Sequence, residues 1–205
     1  QQVLKQRNAC LRAQSSINEI NAWDKEFITT ANHIDSIRKE YIKLLEPVLF
    51  DLFKELLPSI EFKCRYSRGW NKDTELAELL QQNVYRDMQM GYTSSGPQRA
   101  DFQLYVNKLQ AQETLSQGQQ KLASYALYLA QGIIMQQETG RGPIYLIDDL
   151  PSELDPNKRS KITNILTTLN AQVFITGITT TDLAELLELE GKSVFHVEQG
   201  VISAV

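Results

Sequence analysis

Two aspartates, Asp148 and Asp149, end the apolar run Ile144-Tyr-Leu-Ile147, and Ser152-Glu-Leu-Asp155 follows shortly after. A short, continuously apolar run is the pattern of a strand buried on both faces. In an open parallel sheet, ligands bind beyond the carboxyl ends of the strands, so the acidic pair stands where a ligand would meet the sheet. A carboxylate there can hold Mg²⁺ directly or through water, and a second can orient or deprotonate an attacking water. The plain alternative is a pair of ordinary loop acids ahead of a capped helix.

Earlier in the chain, Leu115-Ser-Gln-Gly-Gln-Gln-Lys121 opens a helical pattern. A serine and a glycine-containing turn at a helix N-terminus offer free backbone N–H groups, a hydroxyl and the positive end of the helix dipole, which suit a phosphate oxygen. Read alone, Ser116 is equally an N-cap with no further role. The specific signal is the order: LSxGQ, a helix, an apolar run ending in Asp-Asp, then SxLD.

A third group of residues is basic. Lys63, Arg65, Arg68 and Lys72 lie around Trp70 and can neutralise phosphates of a nucleic-acid backbone, with the ring free to stack or pack. No base-reading helix motif accompanies them, so little sequence specificity is expected. A solvated edge-strand face, kept basic against aggregation, explains the same residues. Arg99 is a further candidate for DNA or nucleotide; the alternative is a salt bridge from Arg99 to Asp101 or another acid that pins its turn.

Several elements must position these groups. Apolar residues recur every three or four positions from Ile17 to Leu56, one stripe along a helix or two collinear helices of roughly 60 Å, at about 1.5 Å per residue. Pro47 is expected to kink or break it. A stripe of this length needs a partner helix. After Pro58 the period becomes two, with Ile60, Phe62, Cys64 and Tyr66 on the apolar face of a half-buried strand. Asp73 can cap a helix to about Met90 that Gly91 stops. Gly96 to Val106 reads as a turn into a strand, and Gly118 to Gln137 as a helix. Asp155-Pro156 opens another helix to about Leu169, Val173–Thr176 is a second buried strand, and a helix starts at Thr181 or Asp182. A hairpin turns around Gly200. Strand, helix, strand at this spacing argues for βαβ crossovers and a mainly parallel sheet.

The 205 residues are 42% apolar, enough for one or two cores, and contain no uninterrupted apolar span or signal-like start. A soluble, cytoplasmic protein with no membrane partner is expected. Cys10 and Cys64 stand far apart, and neither they nor His33 and His196 have metal-ligand spacing. Residues 1–72 carry 12 Lys and Arg against 9 Asp and Glu, whereas residues 73–205 carry 9 against 16. That asymmetry fits a basic part facing a polyanion, and equally an ordinary scatter of surface charge.

The ordered motifs resemble the C-terminal half of an ABC-type ATPase head: Leu115–Gln119 its signature motif, Tyr145–Asp149 its Walker B, Ser152–Asp155 its D-loop. More narrowly, GPQRADF, LSQGQQKL, LIDDLPSELD and VFITGITTTDL resemble the RecF family of the SMC-like branch, over essentially the whole chain. The resemblance implies an α/β fold in two parts. Residues 1–92 would be a long helical arm with a basic strand, a partial second lobe, and residues 93–205 the C-terminal part of the head.

It also implies roles. Ser116, Gln117, Gly118 and Gln119 would touch an ATP held by a second copy, Asp148 would serve Mg²⁺ and Asp149 would stand at the catalytic base. Ser152 and Asp155 would lie at an ATP-dependent homodimer interface. The family implies a slow DNA-dependent ATPase acting with RecO and RecR on gapped DNA in replication, repair and the SOS response. Three departures matter: Gln117 replaces a signature glycine, Asp149 stands where many relatives carry glutamate, and Gly177 follows the strand where transporters place a histidine. Thr176 is the nearest hydroxyl that could sense a γ-phosphate. Gly191-Lys192-Ser193 spells the end of a phosphate loop, yet Leu186 occupies the place of its first glycine and the tripeptide leaves a helix to enter a strand. The phosphate loop would therefore lie upstream of Gln1, leaving this portion alone inactive. Two other classes stay open, a non-catalytic interaction module and a transport ATPase subunit.

Overall fold

The computed structural model describes residues 1–150, 154–169, 171–179, 183–187 and 191–204. The chain forms two compact units, one of Gln1–Pro47 with Glu61–Thr114, the other of Val48–Ile60 with Leu115–Val205.

The first unit is built on helices α1 (Gln2–Arg12), α2 (Ile17–Leu56) and α3 (Leu76–Met90). Phe27 and Ala31 of α2 meet Leu76 and Leu80 of α3 and the ring of Trp70, with Val3 and Leu4 of α1 alongside. A second cluster joins Leu11, Ile20 and Val84. The expected stripe is buried at Ile20, Phe27 and Ala31 and again at Leu45, Leu52 and Leu56, whereas Ile37 and Tyr41 between them are exposed. Pro47 does not break the helix. A proline inside a helix removes one backbone donor, so the rod loses the bond to the carbonyl four residues earlier and continues.

A polar knot sits between these helices. The fully buried Arg7 donates through Nε to Asp24 at 2.7 Å, and through Nη1 to Asp87 at 3.3 Å and Thr93 at 2.9 Å. Asn8 accepts from both the backbone N–H and the hydroxyl of Thr93. Buried charges persist when paired and hydrogen-bonded in this way.

Strand β1 (Phe62–Ser67) pairs antiparallel with β2 (Asp101–Val106), which pairs with the short β3 (Leu109–Gln110). This pairing draws residues 93–114 into the first unit, so the chain does not divide between 92 and 93 as expected. α3 starts two residues later than expected, with Glu75 at its N-cap. Asp73 instead donates its N–H to Asn71 Oδ1 at 2.9 Å in a local turn. Gly91 ends the helix in the left-handed region, φ 71°.

The single turn α4 (Ala111–Thr114) ends the first unit, and the second holds α5 (Gln117–Thr139), β4 (Ile144–Ile147), α6 (Pro156–Thr168) and β5 (Gln172–Ile175). β4 and β5 are parallel, Ile144 opposite Gln172 and Ile147 opposite Ile175, which gives the expected βαβ unit. Leu122, Ala126, Leu129 and Ala130 of α5 are buried, as are Ile162, Ile165 and Leu166 of α6 and the end of α2 at Leu52, Phe53 and Leu56. Lys161 Nζ donates to the Glu55 carbonyl at 2.9 Å, serving one of the free carbonyls of the α2 C-terminus.

β4 is not buried on both faces as its apolar run predicts: Ile144 and Leu146 are 65% and 78% exposed, while Ile147 is buried. Among the described residues its sheet has two strands, and one face carries no cover. A short α7 (Ala184–Leu187) precedes the hairpin of β6 (Phe195–Glu198) and β7 (Val201–Ala204). Gln199 and Gly200 turn it with φ of 49° and 80°, as a tight two-residue connection requires. The expected helix start at Thr181 or Asp182 lies outside the described residues.

Candidate nucleotide and nucleic-acid site

The parallel register brings the acidic pair to Thr176. Beyond Ile147 and Ile175 the ladder continues through a bond from the Thr176 N–H to the Ile147 carbonyl at 3.0 Å. The Thr176 hydroxyl then donates to Asp148 Oδ1 at 2.6 Å and accepts from the Asp149 N–H at 2.8 Å. Asp149 itself turns into the left-handed region with φ 46°. Few non-glycine residues adopt this conformation, and aspartate is among the more tolerant. Among the described residues Asp149 Oδ1 is buried without a hydrogen-bond partner. A buried, unpaired carboxylate oxygen calls for a water or ion.

These oxygens fit a hard divalent cation. Among the described residues no group of three or more His, Cys, Asp or Glu could cage one. A Mg²⁺ ion here would take one or two carboxylate ligands and complete its shell with water and phosphate oxygens, its usual preference.

The second cluster forms at two helix N-termini. Ser116 is the N-cap of α5 in a reciprocal box: its hydroxyl accepts from the Gln119 N–H, and its own N–H donates to Gln119 Oε1 at 2.9 Å. Gln120 also donates to the Leu115 carbonyl at 3.0 Å. The turn is therefore fixed by its own sequence before any ligand is considered. Gln117 and Gly118 occupy the first two helical positions. Gly118 keeps an ordinary helical backbone, and among the described residues a β-carbon there would meet only Lys158 Nζ, 3.7 Å away. Among the described residues neither conformation nor crowding requires glycine at that position.

Lys158 connects this turn to the start of α6. Asp155 caps α6 by accepting from the Lys158 N–H at 3.1 Å, and its carboxylate pairs with Lys158 Nζ at 2.8 Å. The Lys158 side chain, followed by its backbone N–H, holds the Asp155 carboxyl below the ordinary aspartate range. Lys158 was not singled out from sequence; its spacing three residues after an Asp-Pro cap is the signal that could have found it. Ser152 lies outside the described residues.

The basic candidates separate. Lys63 and Arg65 point outward from β1, opposite Tyr105 and Gln103 of β2. Lys63 has Glu61 at 4.0 Å, both fully in solvent, and Lys72 is exposed. Arg68 turns inward: Nη2 donates to the carbonyls of Asn71 at 2.7 Å and Thr74 at 3.2 Å, and the guanidinium covers the Trp70 ring at 4.6 Å. Trp70 packs in the core rather than standing free. Arg99 covers Tyr92 at 5.4 Å, and Asp101 accepts from Gln103 instead. The turns that carry Arg68 and Arg99 touch, the Gly96 N–H donating to the Gly69 carbonyl at 3.1 Å. Gly69 has φ 93°, and a β-carbon there would collide with backbone around Gly96 and Ala100, which explains a glycine in this strand-following turn.

An acidic pair at the end of a parallel strand, with a serine-capped glycine turn on the helix before it, defines one half of a nucleotide-type head. The chain belongs to the RecF/RecN/SMC N-terminal domain family, whose model matches residues 7–203. It is 43% identical over 205 residues to a DNA replication and repair protein RecF of Coxiella burnetii, covering 100% of this chain and 57% of that relative. It is 42% identical over 203 residues to the RecF of Shewanella frigidimarina, covering 99% of this chain and 56% of that relative. The chain thus spans little more than half the length of these relatives. Two solved structures, of the recombination mediator protein RecF-ATP and RecF-ATPrS in the RecFOR pathway, each superpose with a TM-score of 0.81. Each is 22% identical and covers 100% of this chain and 56% of that one. At that identity they establish the fold.

Proposed function

We propose that this chain is part of an ATP-gated, DNA-binding dimeric clamp that serves DNA replication and recombinational repair. In this reading two copies close over ATP, and each presents Ser116, the amides of Gln117 and Gly118, and Gln119 to a nucleotide cradled by the other. The observation that carries it is Gly118. Among the described residues nothing in its own chain requires the glycine, whereas a helix N-terminus without a β-carbon at that position lets a phosphate approach the amides closely.

When bound, Mg²⁺ would supply neutralising charge for the phosphates. Asp148 would hold the cation, and Asp149 would accept a proton from the attacking water through its unpaired Oδ1. Asp155 and Ser152 would lie where the copies meet. Lys63, Arg65 and Lys72 would contact DNA phosphates without reading bases, whereas Arg68 and Arg99 would act indirectly by bracing the turns they cover. Association with RecO and RecR at gapped or stalled sites, and a place in the SOS response, belong to the same proposal, which kinship with RecF supports. A cytoplasmic setting fits the described residues, where no helix is long and apolar enough to cross a membrane.

Sedimentation of the full-length protein tests the reading. Self-association that requires ATP, with DNA binding that weakens steeply with salt, is the expected result; absence of both ends it. Lys63→Glu with Arg65→Glu should lower the salt slope by roughly two if each residue meets one phosphate.

A second reading, a module that keeps the scaffold without turnover, gains support from the aspartate at 149, one methylene shorter than glutamate. Asp149→Asn separates the two. An unchanged ATPase rate favours the module, and a longer-lived ATP-bound dimer favours the clamp.

A further inference from the structure

The hydroxyl of Thr176 has one proton and two lone pairs. The proton goes to Asp148 Oδ1 at 2.6 Å, and one lone pair takes the Asp149 N–H at 2.8 Å. To donate to an incoming phosphate oxygen, the hydroxyl would have to release Asp148. Two neighbouring acids are held at once by one side chain from the adjacent strand, and each is held in a way that matters. Asp148 has one oxygen tied and the other left open. Asp149 is held by its backbone in a conformation that local sterics disfavour, φ 46°, so an outside contact must help maintain it.

We propose that Thr176 is a positioning residue for the acidic pair: its hydroxyl aims Asp148 at a divalent cation and locks the Asp149 backbone so that Oδ1 faces the attacking water. Its work is alignment of the carboxylates, not detection of a phosphate. The placement follows from strand register. Ile175 lies opposite Ile147, so the next residue of β5 stands level with Asp148; a slip of one residue would turn the hydroxyl to the other face of the sheet. The proposal rests on the nucleotide role given above, because it assigns the purpose of the same acids.

Thr176→Val removes the hydroxyl and keeps the branched shape, while Thr176→Ser keeps the hydroxyl. Both are made in the full-length protein, and both should match the parent in far-UV circular dichroism. Before any nucleotide is added, the Asp149 amide should exchange with solvent about tenfold faster or more in the valine variant and as in the parent in the serine variant. With ATP present, the Mg²⁺ concentration for half-maximal turnover should rise about tenfold and kcat fall about 10- to 100-fold in the valine variant, the usual effect of losing a ligand-orienting partner. Nucleotide affinity in EDTA should stay within about twofold, and serine should restore both kinetic values.

A valine variant that keeps its Mg²⁺ midpoint and its slow Asp149 exchange, yet no longer distinguishes ATP from ADP, would make Thr176 a phosphate sensor and overturn the proposal. So would a valine variant indistinguishable from a parent that shows Mg²⁺-dependent nucleotide binding. A parent with no such binding overturns the nucleotide reading as well.

Discussion

The hydroxyl of Tyr145 occupies the space that a β-carbon on Gly132 would need. Gly132 lies in α5 and Tyr145 in β4, so this contact sets the helix that begins with Ser116 against the strand that ends at Asp148. Pro143 Cγ and Tyr145 Cζ would also lie within 2.9 Å and 2.8 Å of the added carbon. Gly132→Ala is therefore expected to destabilise the protein by about 1–3 kcal/mol, the range for overpacking a tight core. Adding Tyr145→Phe removes the foremost clash and should recover part of that loss. Urea unfolding of the two variants beside the parent checks it; equal midpoints for Gly132→Ala and the parent would refute the close fit.

The thiol of Cys64 is half-buried in β1, and burial, reinforced by the negative charge of Glu46, pushes its pKa from 9.0 to about 12. The thiolate is the reactive form. At pH 8 the ionised fraction falls from about one in ten to about one in ten thousand, so iodoacetamide should modify Cys64 about a thousandfold more slowly than an ordinary thiol. The sign for stability follows: the folded state keeps its proton longer, so the contribution is fully present below pH 9.0 and is lost as pH rises toward 12. Labelling in native buffer and in urea, read by peptide mass, checks the rate. Fast native labelling would place the thiol in solvent.

Arg7 is fully buried against Asp24 and Asp87, and Asp87 is itself fully buried. Removing one partner of such a pair leaves an uncompensated charge, at about 3–5 kcal/mol. Arg7→Met should show that loss in chemical denaturation. Arg7→Met with Asp87→Leu should lose less than the single substitution, since the orphaned charge is gone. Additive losses would mean the pair is not coupled.

The contrast between these residues explains what the sequence could convey. Period-two alternation from Phe62 to Tyr66, the Ser116 cap and the Gly91 stop depend on neighbours a few positions away, and they appear in the structure as expected. Nothing local marks Arg7, because its partners lie 17, 80 and 86 residues along the chain. The bond from Thr176 to Asp148 spans 28 residues and depends on strand register. Periodicity carries no information on register. The exposure of Ile144 and Leu146 escaped for a related reason: an apolar run records what a strand can bury, not what covers it. Asp73 sits instead in a local turn two residues before the cap, its N–H donating to Asn71 Oδ1.

Gly118 gives the sharpest separation of fold from function. In the second position of α5, with an ordinary helical backbone and Lys158 Nζ as the nearest atom among the described residues at 3.7 Å, it can accept a methyl group without strain. Alanine is the better helix former, by up to about 1 kcal/mol in a helix interior and less near an end. Gly118→Ala should therefore unfold at the same temperature as the parent or slightly higher. If the amides at this N-terminus receive a phosphate from a second copy, the same methyl group stands in the way, and ATP-dependent self-association should weaken about tenfold or more. Differential scanning calorimetry and sedimentation on the same preparation read both effects. A variant that assembles normally with ATP would remove Gly118 from the interface, and one that also melts early would show that the glycine serves the fold.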